Sequence, residues 1–162
     1  MALDTTVGGA DAESYDSVAN WQTYATSMGW TLTGDSDVLE ANMRRGTAYL
    51  DRLYRWIGRR TNEDQALAFP RIISELDEDG YAIPSDAIPA GIVKATYELA
   101  YIENQGIDLL SYTDGAAIKS TRVKAGPVES ETEYVASSAV ESRIVAIEGL
   151  IRPYLYGGQI GA

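Results

Sequence analysis

Chemistry needs groups that move protons, hold metals or attack carbon, and this sequence is short of them. It contains neither histidine nor cysteine. That removes the commonest general base and metal ligand, any thiol nucleophile and any disulfide framework. The serines have no histidine partner, and no motif supports a serine–lysine arrangement. Twenty-four Asp and Glu residues cannot be sorted into a catalytic pair by spacing alone. The most suggestive acidic run is Glu75, Asp77, Asp79 and Gly80 with Asp86 closing, which imitates a calcium loop. Such a loop opens on Asp and closes on a bidentate Glu, and this run does neither; the plainer account is an acidic turn ended by glycine. Gly8-Gly9 and Gly157-Gly158 lack the strand and helix that phosphate loops require. The expectation is a non-enzyme with no cofactor and no metal site.

The residues that can act are cations. In the run from Tyr49 to Thr61, Arg52, Arg55, Arg59 and Arg60 stand among Tyr49, Tyr54 and Trp56. At 100° per residue, Leu39, Met43, Gly46, Leu50, Leu53, Tyr54 and Ile57 share one helical arc, while Arg44, Arg52, Arg55 and Arg59 share the opposite one. The first arc reads as a core face, with Gly46 allowing close approach of another element. The second reads either as a solvated face paired locally with Glu40 and Asp51, or as a surface for an acidic partner such as another copy of the chain.

Composition sets the class. One domain with a real core fits in 162 residues, and 45% apolar against 23% charged residues is globular. A net charge of −11 argues against a protein whose main task is gripping phosphates. No apolar run reaches the eighteen residues of a membrane span, and the N-terminus has no signal-peptide pattern. Eleven tyrosines against one phenylalanine suit half-wet, shared surfaces.

The elements that must position the cations follow from period and caps. Residues 1–13 are small and polar and read as a flexible or partner-ordered arm. Ser14 is a plausible N-cap for a first helix with Val18, Trp21, Ala25 and Met28 inward and Gly29 ending it. Asp37 and Glu40 form a capping box for a second helix running to about Ile57. Asn62 and Gln65 repeat that logic over a short turn stopped by Pro70. Pro89 starts a third helix whose apolar arc is wide enough to make it the central one. Ile118–Lys124 and Val128–Tyr134 read as a hairpin turning at Ala125-Gly126, with Arg122 facing Glu129. Ser138 and Glu141 cap a last helix with Val140, Ile144, Ile147, Leu150 and Ile151 inward, ended by Pro153. The fold class is therefore mainly α: a compact bundle of about four helices, with one β-hairpin (about 117–134) between the third and last. The bundle domain spans 14–152, with an arm at 1–13 and a tail at 153–162. The tail keeps Tyr154, Leu155, Tyr156 and Ile160, so it either folds back or docks into another protein; docking is preferred.

The order of short motifs resembles a known family. Gly58-Arg59-Arg60-Thr61 leads to Gln65-Ala66-Leu67-Ala68-Phe69-Pro70-Arg71, then Asp79-Gly80-Tyr81-Ala82-Ile83-Pro84. Ile88-Pro89 then opens a helix holding Ala95 and Glu98, and Val123-Lys124-Ala125-Gly126-Pro127 follows, as far as Tyr134. Over roughly the middle two thirds of the chain this is similar to tailed-phage head–tail connector (adaptor, head-completion) proteins. Some members carry a label as primosome-like single-stranded-DNA-binding proteins. The resemblance implies a structural protein of the virion neck, present in the host cytoplasm during assembly. It would form a ring homo-oligomer, twelve-fold by analogy with the connector fold, that docks on the portal protein and meets a downstream neck or tail protein. DNA would pass through an acidic lumen without specific binding.

Under that reading Arg52, Arg55, Arg59, Arg60 and Arg71 are contacts between subunits, and Tyr154, Leu155, Tyr156 and Ile160 dock on the portal. Arg71 has a second reading, as a brace for the Asp79-Gly80 turn. The alternative function is single-stranded-DNA binding, with Tyr49, Tyr54 and Trp56 stacking on bases and the arginines on the backbone.

Overall fold

The computed structural model describes residues 2–111 and 127–158. Among these, four α-helices dominate: α1 Val18–Ser27, α2 Ser36–Leu53, α3 Ala90–Asn104 and α4 Pro127–Ile151. A two-residue antiparallel pair, β1 Arg59–Arg60 and β2 Arg71–Ile72, lies between α2 and α3, with Arg59 opposite Ile72 and Arg60 opposite Arg71. Two short 3₁₀ turns, Arg152–Tyr154 and Tyr156–Gly158, follow α4. No helix among the described residues is long and apolar enough to cross a membrane. The mainly helical bundle with one small hairpin is thus present, but the hairpin lies elsewhere than expected.

Val128–Tyr134, expected as the second hairpin arm, lies in α4; the first arm and its turn lie outside the described residues. Pro127 occupies the first position of this helix, where its missing N–H costs nothing. Ser138, expected as the cap, is interior to this helix.

The core has two parts joined through α3. Trp21 and Ala25 of α1 are buried, Trp21 among Leu39 and Met43 of α2 and Tyr97 and Ala100 of α3. The larger part gathers Leu50 of α2, Ile92, Ala95, Leu99 and Ile102 of α3, and Val140, Ile147 and Ile151 of α4. The central position expected for α3 is observed, as is its start directly after Pro89. Gly46 has the role expected of it: a Cβ there would stand 3.0 Å from both the Ala100 amide nitrogen and the Thr96 carbonyl oxygen. The two helices touch backbone to backbone at that point.

Caps differ in detail. Ser17 rather than Ser14 caps α1, its Oγ accepting from the Asn20 amide at 3.2 Å. Met28, expected inward, follows the end of that helix and is exposed. Asp35 rather than Asp37 caps α2, accepting from Val38 at 3.1 Å, and leaves Asp37 to favour the first turn electrostatically. Of residues 1–13, expected as a flexible or partner-ordered arm, 2–13 lie on the body. The Ala66 amide donates to the Gly9 carbonyl at 3.0 Å, Arg44 pairs with Glu13 at 3.1 Å, and Ala12 is buried.

Candidate functional site

The cations expected on one helical face do not share one, because α2 stops at Leu53. Tyr54 is extended (φ −111°, ψ 147°), and the chain from Arg55 to Ile57 pairs with the tail. The Tyr156 amide donates to the Arg55 carbonyl at 2.8 Å, and the Ile57 amide to the Tyr154 carbonyl at 3.0 Å, bracketing an antiparallel bridge between Trp56 and Leu155. Extended backbone alternates its side chains. Trp56 therefore points inward, 8% exposed and edge-on to Phe69 at 5.0 Å, while Arg55 points out.

Gly58 then turns the chain into β1. Its φ is +72°, and a Cβ would lie 2.2 Å from the Ile72 carbonyl oxygen, so no other residue fits. The result is a ridge, residues 52–60, on which Arg52, Arg55, Arg59 and Arg60 are all exposed and which contains no acid. None of the four is in an ion pair among the described residues. The ion pairs found there belong to Arg44, with Glu13 and Glu40, and to Arg45, with Glu103 and Asp108. Arg60 donates to the Gln65 carbonyl at 2.9 Å, and the Arg55 guanidinium lies over the exposed Tyr156 ring at 4.5 Å.

Arg71 is a different kind of residue. Its guanidinium donates to the carbonyls of Ile57 (2.7 Å), Gly58 (2.7 Å) and Ala68 (3.2 Å). It braces the Gly58 turn, not the Asp79-Gly80 turn, and its donors are directed into its own chain. Burial lowers its pKa, with Arg60 nearby adding to that.

Asp51, expected as an arginine partner, is instead half-buried and bonded within the fold. It accepts from the Tyr15 hydroxyl and from the Ala68 amide at 3.0 Å. Burial raises its pKa, partly offset by those hydrogen bonds and by Arg71.

The aromatics expected to stack on bases do not face solvent. Tyr49 and Trp56 are buried. Tyr54 is half-buried, its hydroxyl on Glu148 at 3.1 Å, and burial drives its pKa far up. Of the expected docking tail, Leu155 is buried at 3% exposure and Tyr154 packs against the core, edge-on to Phe69 at 6.0 Å, whereas Tyr156 is exposed, at 59%. Ile160 lies outside the described residues. In the Glu75–Asp86 loop, Asp77 Oδ1 accepts from the amides of Asp79 (3.0 Å) and Tyr81 (2.8 Å), as an acidic turn requires. Among the described residues no three carboxylates gather in a group that could hold a metal.

Sequence reasoning missed a second aromatic group. Trp30 stacks on Tyr101 at 4.2 Å and 9°, with the Arg143 guanidinium over Tyr101 at 5.0 Å. The tyrosine excess hinted at such a group without placing it.

No curated protein and no solved structure matches this chain. A family model described as "Putative DnaT-like ssDNA binding protein" matches residues 1–162, the whole of its length. The chain belongs to that family.

Proposed function

We propose that this chain binds single-stranded DNA, with Arg52, Arg55, Arg59 and Arg60 on the phosphate backbone. The observation that carries the proposal is the ridge itself: four exposed guanidinium groups with no acid paired to them among the described residues, in a molecule of net charge −11. Most acids of such a surface would repel a polyanion, so an acid-free stretch is where a strand could approach. A fixed bend at Gly58 and the Arg71 brace hold the ridge in place before binding, which lowers the ordering cost. The family's description supports this ligand class. Titration of a labelled oligonucleotide by fluorescence anisotropy across salt tests it. Binding that weakens steeply with salt is expected, and no binding at low salt would sink the proposal.

One observation favours a second reading. With Tyr49 and Trp56 buried and the Arg55 guanidinium over the exposed Tyr156 ring, the ridge lacks the open stacking platform on which sequence-tolerant strand binders rely. Its cations then suit protein carboxylates, and every copy of this chain carries twenty-four acids. In that reading the protein is a head–tail connector of a tailed phage, ringing the DNA channel with its own copies between the portal and a neck or tail protein. Light scattering of the free protein, and electron microscopy with portal present, decide between the two. Rings without oligonucleotide binding favour the connector.

A further inference from the structure

We infer that the cleft walled by Trp30 is a nucleobase subsite, separate from the arginine ridge. The inference rests on the single-stranded-DNA reading above and supplies the stacking surface that the ridge lacks. The cleft is an open depression of about 290 Å³ between α1 and the connection after it, lined by Gln22, Ala25, Thr26, Trp30, Thr31 and Leu32. In a chain with twenty-four acids, none lines it.

What does line it is an aromatic wall with neutral hydrogen-bonding groups beside it: the Gln22 amide and the Thr26 and Thr31 hydroxyls. A planar, uncharged ring with donors and acceptors on its edge is the ligand these groups match. The wall is held still. Trp30 is stacked on Tyr101 at 4.2 Å and edge-on to Tyr24 at 5.6 Å, while its amide donates to the Ala25 carbonyl at 2.8 Å. Tyr101 in turn carries the exposed Arg143 guanidinium at 5.0 Å, a cation with no ion-pair partner among the described residues. Along the chain, the eighteen residues of α2 separate the subsite from the ridge.

The site reports on itself. Of the three tryptophans, Trp21 and Trp56 are buried at 0% and 8% exposure, so a base arriving on an indole quenches Trp30. The experiment titrates the full chain with oligothymidylate and follows anisotropy of a labelled strand beside tryptophan emission with an unlabelled one.

Parallel saturation of both signals is expected. The Trp30→Phe variant should lose the quench and bind more weakly than the parent, because a phenyl ring offers less stacking surface than an indole. Thr26→Glu places a carboxylate in the cleft from an exposed helical position without removing an aromatic. It should weaken binding roughly 5- to 150-fold with the salt slope unchanged, since the base is displaced while the phosphates keep their arginines. Anisotropy that rises while emission stays constant, or Thr26→Glu binding as tightly as the parent, overturns the subsite and leaves the ridge reading standing. No anisotropy change at low salt overturns both.

Discussion

Asp51 and Arg71 show how the same residue types that look like a partner surface in sequence become internal braces in the fold. Asp51 is half-buried, and desolvation is the chief cause of its raised pKa. A carboxyl whose folded pKa exceeds its unfolded one binds its proton more tightly when folded. Its contribution to stability is therefore complete below the ordinary value of 3.8 and is lost as pH climbs through the folded value. Urea midpoints of the parent and Asp51→Asn, measured from acid upward, should show the parent losing ground relative to the variant over that window; parallel curves would remove the burial argument. Arg71 feeds three carbonyls, which a lysine ammonium cannot reach together. Arg71→Lys should cost about 1–3 kcal/mol of stability and leave partner affinity unchanged. A variant that melts like the parent but binds less would instead return Arg71 to the surface set.

Among the elements, the tail changes meaning most. Its first residues close an antiparallel bridge on Arg55–Ile57, and Leu155 fills a core position beside Trp56. Leu155→Ala should cost about 2–5 kcal/mol, and ending the chain after Pro153 should destabilise it further by removing both backbone hydrogen bonds. Thermal melts of the two variants check this; a truncated chain with unchanged melting would mean the bridge contributes nothing. Gly58 is the companion case. Because its left-handed backbone also faces the Ile72 carbonyl at 2.2 Å from a would-be Cβ, Gly58→Ala should destabilise by about 1–3 kcal/mol or more and displace β1. Chemical shifts confined to residues beside the substitution would contradict that displacement.

For the whole molecule, the contrast between a −11 chain and its cationic ridge governs what it can meet. If phosphates are the partner, Arg59→Ala with Arg60→Ala should weaken oligonucleotide binding and lower the salt slope by about one for each phosphate left without its arginine. If protein carboxylates are the partner, the same pair should shift the oligomer distribution in light scattering instead. Neither change under either measurement would leave the ridge without a role.

Periodicity determined the inward faces of α3 and α4, and that of α2 as far as Leu50, beyond which Leu53 is exposed, because burial on a helix repeats at a spacing that one strand of sequence carries entire. Pro89 marked the start of α3 and Gly46 the close contact. The missing histidines and cysteines likewise bounded the chemistry without any fold. Tertiary structure alone decided where α2 ends: Tyr54 to Ile57 continues the helical arc, and only pairing with residues about a hundred positions later draws it into extended backbone. It also decided which arginines find partners, since Glu13 and Glu103 are brought to Arg44 and Arg45 from far along the chain while Arg52, Arg55 and Arg59 are left facing water. A local pattern cannot register a neighbour that folding delivers from a distance.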